Sequence, residues 1–156
     1  MTAEVDAFVA SHPLFAGLPA GVTSEIAACC RTVAYGPDEL LLVEGQPADT
    51  LFLVQRGRVA IEIHGADRGT LVVETVETGG AVGWSWLFPP YRWNFDARAL
   101  GPVGAVAADA TCLRAKMDAD DEFGRLLVTR VAGVLLERLQ ATRLRLLDLY
   151  GADRAG

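Results

Sequence analysis

Apolar residues follow a strand-like period through the middle of the chain. Between residues 39 and 76 they occur in short runs that alternate with polar residues or end at glycine- and proline-containing turns. Strands are predicted at 39–45, 50–55, 58–64, 70–76, 97–100, 103–108 and 111–116. Strands at this spacing with no helices between them are typical of a sandwich or barrel.

Helical patterns lie on both sides of this region. Residues 3–10 predict a short helix, and Thr23 is the expected N-cap of a second helix that runs through Cys30. A third helical pattern extends from residue 118 to 150, where Gly151 is the expected stop. Within it, a glycine at position 124 or 133 marks a place for a bend between two helices.

The C-terminal helical pattern is apolar on two sides. One set repeats by four and three, as in a coiled coil with one polar member: Val128, Ala132, Leu135, Leu139, Thr142, Leu146 and Leu149. A second set flanks it: Leu127, Val131, Val134, Leu136, Leu144 and Leu147. Two apolar sides need two partners, and the barrel supplies one. The pattern therefore favours a parallel homodimer, and a helix buried entirely across its own barrel is the alternative.

The composition indicates a substantial core and an acidic surface. The chain has 156 residues, the length of about one domain, and 51% of them are hydrophobic. A net charge of −6 argues against binding to DNA or to an anionic membrane. The apolar runs are too short to span a bilayer, and the N-terminus lacks the basic start of a signal peptide. We therefore expect a cytoplasmic protein with no membrane contact.

Cysteine and histidine offer little chemistry in this sequence. Cys29, Cys30 and Cys112 make an odd count with a vicinal pair, which is a poor disulfide framework. We expect Cys29 and Cys30 to be small apolar residues of a helix. His12 and His64 lie far apart and have no cysteine or second histidine nearby, so neither a metal site nor a catalytic centre is predicted.

The segment GGAVGWSWLFPPYRWNFDARA, residues 79–99, is the most unusual part of the chain. It contains all three tryptophans of the protein and three further rings. The rings are Trp84, Trp86, Phe88, Tyr91, Trp93 and Phe95. They are consistent with a stacking or apolar ligand pocket, with core that needs no ligand, or with an exposed protein-docking patch.

Three segments resemble the cyclic-nucleotide-binding domain of the catabolite-activator superfamily. They read HPLFAGLP, YGPDELLLVEGQPADTLFLVQRGRVAIEI and RLQATRLRLL, and the likeness covers roughly residues 12–150. The resemblance implies a mainly β fold with α: a double-stranded β-helix, or jelly-roll, barrel with short N-terminal helices and a long C-terminal dimerisation helix. We expect one domain over 1–156, with the barrel at about 32–117 and the helical region at about 118–150.

In that family a phosphate-binding cassette follows the sixth strand. It opens with Phe-Gly-Glu, where the Glu holds the ribose, and it ends with an Arg that holds the cyclic phosphate. Here Gly83 matches, but Trp84 stands in the place of the Glu. The Arg position falls on Trp93 or Asn94, and only Arg92 is close. Because a buried phosphate needs a compensating charge, we expect cyclic AMP to bind weakly or not at all.

Candidate ligand-binding residues come from the cassette and the long helix. They are Gly83, Trp84, Ser85, Trp86, Arg92, Trp93, Asn94, Thr142 and Arg143. The resemblance places Thr142 where the partner-facing helix touches the ligand base, with Arg143 in a position that is often Ser. The occupant expected is a cyclic nucleotide or a related small ligand.

The resemblance implies regulation through another protein. The transcription factors of the superfamily continue into a winged helix-turn-helix, and here seven residues follow Leu149, so a stand-alone form that does not bind DNA is expected. One hypothesis is a dimeric, non-enzymatic sensor that acts on a partner complex. The other is a ligand-independent accessory or docking subunit, and domains that resemble this one accompany bacterial redox-enzyme complexes such as hydrogenases.

Overall fold

A computed structural model describes residues 2–66 and 69–155. Its helices are α1 (Thr2–Ser11), α2 (Ala20–Ala27), a 3₁₀ helix (Trp84–Leu87), α3 (Ala110–Ala119) and α4 (Asp121–Ala155). Its strands are β1 (Cys30–Tyr35), β2 (Leu40–Leu42), β3 (Thr50–Arg56), β4 (Val59–Gly65), β5 (Gly69–Val76), β6 (Ala81–Val82), β7 (Asp96–Ala99) and β8 (Val103–Asp109).

The strands form two antiparallel four-stranded sheets. One has the order β1-β8-β3-β6 and the other β2-β7-β4-β5. Long connections pair strands that are distant in sequence: Cys30 lies opposite Ala108, and Val59 lies opposite Ala99. The predicted mainly β jelly-roll barrel, with short N-terminal helices and a long C-terminal helix, is confirmed.

β3 shows how the chain divides its core between two layers. Phe52 and Val54 pack in the cluster between the two sheets, whereas Leu51 and Leu53 pack against the helices on the other side. Successive side chains of a strand point to opposite faces, so a strand covered on both faces needs apolar residues throughout. This explains why residues 51–54 form a continuous apolar run instead of alternating.

The predicted strand at 111–116 is wrong, because these residues belong to α3. Asp109 caps the helix: its carboxylate accepts a hydrogen bond from the Cys112 amide at 3.2 Å. Ala110 and Leu113, three residues apart, are both fully buried. A short apolar run is compatible with the period of a strand and with that of a helix. Here the Asp109 cap and the burial of one helix face favour the helix.

The expected N-cap of α2 is also wrong. Pro19 occupies the cap position, and Thr23 lies inside the helix, where its hydroxyl donates to the Ala20 carbonyl at 3.1 Å. A proline just outside the first turn fits because the first helical amides need no acceptor within the helix. At its other end α2 stops at Ala27, so it does not run through Cys30.

The boundaries of α4 differ from expectation at both ends. The break that precedes it lies at Asp120 and not at Gly124 or Gly133, because the Asp120 carboxylate accepts from the Glu122 amide at 3.0 Å and restarts the helix. Gly151 does not stop the helix, which extends through Ala155. No helix in residues 2–66 and 69–155 is long and apolar enough to cross a membrane.

The expectation that the cysteines form no disulfide is wrong. Cys29 and Cys112 are disulfide-bonded, with their Cα atoms 5.7 Å apart. Cys29 lies in the turn after α2 and Cys30 opens β1, so neither is helical. The pairing of β1 with β8 carries the start of α3 to the end of α2, a proximity that sequence spacing does not contain.

α4 packs on the barrel along its first half. Phe123, Leu127 and Val131 are buried in the helix-facing core cluster. Several apolar residues from both predicted sets are exposed: Val128, Leu136, Leu139, Leu144, Leu146, Leu147 and Leu149. The barrel thus covers Leu127 and Val131 of the flanking set but leaves the second half of both sets exposed, and the homodimer through α4 stays a prediction.

Candidate functional site

A cavity of about 270 Å³ opens between the barrel and α4. Its walls come from β4, β5, β6, one residue of α4 and three further residues of the segment 79–99, here called the aromatic segment: Gly83, Trp84 and Phe95. They are mostly apolar and include Ile61, Val73 and Phe95. Among the residues that the structure describes, Glu74 and Arg138 are the charged ones that line it.

Gly83 forms the turn between β6 and the 3₁₀ helix. Its φ is +102°, in the left-handed region that side chains disfavour. A Cβ built on Gly83 would come within 2.8 Å of the Trp93 ring and 2.9 Å of the Thr50 carbonyl oxygen. Glycine is therefore required both by the backbone conformation and by the close approach of Trp93.

Trp84 forms part of the cavity wall at the position where the resemblance expected a carboxylate. The residue is half-buried, and its indole Nε1–H is shielded from solvent with no acceptor among the described residues. The Arg138 guanidinium lies over the ring, 5.5 Å from its centroid. This is within the range of a cation–π interaction.

Arg138 brings a positive charge into the cavity from α4. Its Nη1 lies 3.1 Å from the Glu74 carboxylate of β5, and its Nη2 donates to the Ala81 carbonyl of β6 at 2.9 Å. The cassette itself contributes no guanidinium to this cavity, and Arg138 was not among the predicted site residues. The sequence did offer one signal for Arg138. It lies four residues before Thr142 in the RLQATRL segment, and residues four apart share a helix face.

Trp86 and Trp93 are core residues. Trp86 is fully buried in the cluster that faces the helices, and Trp93 is buried in the cluster inside the barrel. The aromatic segment therefore contributes one buried tryptophan to each of the two core clusters. Of the three tryptophans, Trp84 is the one that lines the cavity.

Arg92 points away from the cavity, although it is the arginine closest in sequence to the cassette position. Its exposed side chain donates from Nη1 to the Gly45 carbonyl at 2.9 Å. The neighbouring Trp93 amide donates to the Gln46 carbonyl at 3.0 Å, so both residues hold the turn after β2. Exposed Asn94 donates to the Ser85 hydroxyl at 3.5 Å.

Thr142 and Arg143 are exposed on α4, one turn beyond Arg138. The Thr142 hydroxyl donates back to the Arg138 carbonyl at 2.9 Å. Neither residue lines the cavity of this chain. A ligand role for them is a prediction that depends on the α4 helix of a second subunit.

The outer end of the aromatic segment forms an exposed rim. Phe88, Pro89 and Pro90 are exposed, and the Pro89–Pro90 peptide bond is cis. Tyr91 is half-buried beneath Arg114 of α3, whose guanidinium lies 4.4 Å from the ring centroid. The six rings thus serve three purposes: core filling, cavity wall and exposed rim.

A polar network covers the outer face of the β4–β7 pair. His64 Nε2 lies 2.6 Å from the Asp96 carboxylate, and this hydrogen bond raises the pKa of His64. Burial alone would raise the pKa of Asp96, but hydrogen bonds from the Glu44 amide and His64 outweigh it and lower that pKa. The network ties β4 and β7 to the turn after β2.

The chain is similar in sequence to known proteins that bind or respond to cyclic nucleotides by name. A CRP-like cAMP-activated global transcriptional regulator of Mycobacterium tuberculosis is 24% identical over 152 residues, which make up 97% of this chain and 66% of the regulator. Cyclic nucleotide-gated ion channel 2 of Arabidopsis thaliana is 31% identical over 101 residues, 65% of this chain and 13% of the channel. The chain thus spans just under two thirds of one relative and a small part of the other.

A solved structure shares the fold. A cyclic nucleotide-binding domain from Methylobacillus flagellatus superposes with a TM-score of 0.78 at 20% identity, over 94% of this chain and 82% of that one. The family description of the cyclic nucleotide-binding domain matches residues 32–120, from within β1 to the end of α3. This range contains both sheets and the aromatic segment. The chain belongs to the cyclic nucleotide-binding domain family.

Proposed function

We propose that this chain is a non-enzymatic regulatory module that takes a small ligand in the cavity beside Trp84. The observation that carries the proposal is Arg138, which joins α4 to both β5 and β6 at the cavity. A ligand that competes with Glu74 for this guanidinium changes what holds α4 to the barrel. Occupancy is then transmitted to the exposed half of α4.

The cavity favours an anionic ligand with a flat apolar body. The anion would pair with Arg138, and the body would lie against Trp84 and the apolar wall. Cyclic AMP fits this cavity poorly because the chain lacks the Glu that holds the ribose and the Arg that holds the phosphate in the family. Losing two charge-assisted hydrogen bonds at about 1.5–3 kcal/mol each weakens affinity by roughly 10²–10⁴-fold.

The transmission requires a second surface. The apolar residues exposed on α4 suit a parallel homodimer, and through it a partner protein complex in the cytoplasm. In that dimer Thr142 and Arg143 of one subunit would approach the cavity of the other. The single domain over 1–156, the absence of DNA binding and the dimer all stay parts of this proposal.

Titration calorimetry with wild type, Arg138→Gln and Arg92→Ala tests the ligand site. We expect weak binding of cyclic AMP or cyclic GMP, lost in Arg138→Gln and retained in Arg92→Ala. Tight binding that only Arg92→Ala removes would mean that the cassette rearranges around Arg92, contrary to the proposal. If no cyclic nucleotide produces a heat of binding, the ligand is a different anion or the protein is the ligand-independent subunit described next.

A ligand-independent accessory subunit is the second candidate, and the exposed rim favours it. Phe88 is 49% exposed beside two exposed prolines, a rigid apolar edge that suits docking on a larger complex, such as a redox-enzyme complex. Glu74 already neutralises Arg138, as expected of a cavity that needs no ligand. Phe88→Ser would then abolish association with the complex, while Arg138→Gln would leave it intact.

A further inference from the structure

The Cys29–Cys112 disulfide joins the end of α2 to the first turn of α3. Its two halves differ in accessibility: Cys29 is 7% exposed, whereas Cys112 is only partly buried. Cys112 is therefore the half of the disulfide with more solvent-exposed surface, and we place the attack of an external thiolate there. Access to one of the two sulfurs is among the factors that set the rate of thiol–disulfide exchange.

α3 lies between this disulfide and the aromatic segment. Arg114, two residues after Cys112, donates from Nη1 to the Trp86 carbonyl at 2.5 Å and covers the Tyr91 ring. On the other side, Lys116 donates to the Glu25 carbonyl of α2 at 2.9 Å. The position of α3 thus determines where one end of the aromatic segment is held.

We propose that the Cys29–Cys112 disulfide is a reversible redox site whose state sets how firmly α3 holds the aromatic segment. The reductant is a dithiol. One of its thiolates attacks the Cys112 sulfur, forms a mixed disulfide and releases Cys29, which takes up a proton. The second thiolate then displaces Cys112, so the dithiol leaves as a disulfide and the protein gains two thiols.

Cys30 does not take part in this exchange, although it is adjacent to Cys29. Its thiol donates to the Ile26 carbonyl at 3.2 Å, and burial raises its pKa to about 12. The thiolate is the nucleophile in disulfide exchange, so a thiol held protonated does not attack its neighbour. This protects the Cys29–Cys112 pairing from scrambling and leaves the solvent route through Cys112.

Reduction loosens α3 without releasing it. The backbone holds the helix start independently of sulfur, because the Asp109 amide donates to the Cys29 carbonyl at 2.9 Å and the Ala110 amide donates to the Asp49 carbonyl at 3.0 Å. Leu113 remains in the helix-facing core. The reduced protein is therefore folded, with a more mobile α3 and a less restrained aromatic segment.

Amide hydrogen exchange of the full chain, with and without dithiothreitol, tests the proposal. Reduction should accelerate exchange about tenfold in residues 110–119 and 84–95, the change that a local loss of about 1.4 kcal/mol produces. Cys30→Ser should respond like wild type. Cys112→Ser should show the fast pattern with or without dithiol, and reoxidised wild type should return to the slow one.

Arg114→Gln separates the redox site from its coupling to the aromatic segment. In this variant reduction should still accelerate exchange in 110–119, but exchange in 84–95 should already be fast and should not respond. The proposal is overturned if the native disulfide resists excess dithiothreitol, if reduction unfolds the whole domain, or if exchange in 84–95 is unchanged in reduced wild type. None of these outcomes depends on a ligand in the cavity.

Discussion

The two halves of α4 have similar apolar character and opposite surroundings. In the first half, Phe123, Leu127 and Val131 are at most 1% exposed against the barrel. In the second half, Leu144, Leu147 and Leu149 are each more than 60% exposed. Arg138 lies between the halves and is tied to Glu74 and Ala81. An apolar helical pattern predicts that a helix face will be buried. The fold determines which part of that face packs on the barrel of the same chain and which part stays exposed.

The largest effect is expected from a truncation in the packed half. Leu127→Ala should lower the free energy of unfolding by about 2–5 kcal/mol, because it leaves a cavity in a fully buried site. The matched change Leu144→Ala, in the exposed half, should lie within about 0.5 kcal/mol of wild type. Urea denaturation measures both. Equal losses would show that the two halves are not as different as their exposure indicates.

The exposed half should mediate dimerisation. Leu139→Glu combined with Leu146→Glu places two charges in the predicted interface, and unpaired charges in a desolvated interface cost several kcal/mol on the order found for buried ions. We expect monomers by light scattering at micromolar concentration, with an unchanged circular dichroism spectrum. Leu136→Glu, outside the heptad set, is the control. A monomeric wild type would contradict the dimer.

Arg138 should couple the two halves, with a smaller effect on stability. Arg138→Gln removes a partly exposed ion pair and a charge-assisted hydrogen bond to Ala81, so we expect a loss of about 1 kcal/mol. Amide exchange in the second half of α4 should accelerate more than in the first. Arg145 makes one long contact, from its Nη1 to the Val73 carbonyl at 3.4 Å. Arg145→Gln should therefore change stability and amide exchange less than Arg138→Gln. Uniform acceleration along the helix would remove Arg138 from this role.

The smallest effect concerns pH and leaves the helix comparison unchanged. The raised pKa of His64 means that its pair with Asp96 stabilises the fold fully below the ordinary histidine pKa, and that this contribution is lost as pH rises through the folded value. The lowered pKa of Asp96 means the opposite: its contribution is lost as pH falls through its own folded value.

The pair should therefore contribute most between the two pKa values. Wild type should exceed His64→Asn in stability at pH 5.5 and lose that advantage at pH 8.5 in urea denaturation. Both His64 partners, Thr70 and Asp96, lie on the barrel, so dimerisation should not change across this range. An advantage that grows with pH would contradict the sign.

Local pattern indicated the class of the fold, and the family resemblance supplied its topology. The spacing of the short strands is typical of a sandwich or barrel, and the apolar run in β3 follows from its two covered faces, whereas the jelly-roll was predicted from the resemblance. The resemblance matched Gly83 to the glycine of the family's cassette, and its left-handed backbone is a local requirement. The replacement of the family carboxylate by Trp84 is likewise visible in the sequence.

Tertiary structure alone decided which distant residues meet. Cys29 and Cys112 are 83 residues apart and are joined by strand pairing that no spacing rule contains. Arg138 reaches Glu74 and Ala81 because α4 packs across the barrel, so the positive charge of the cavity comes from a helix and not from the cassette. Whether a tryptophan fills the core or lines a cavity depends on the layers that surround it. A hydrophobic pattern depends on residues that are close in sequence, whereas the cavity is built from residues that only the fold brings together.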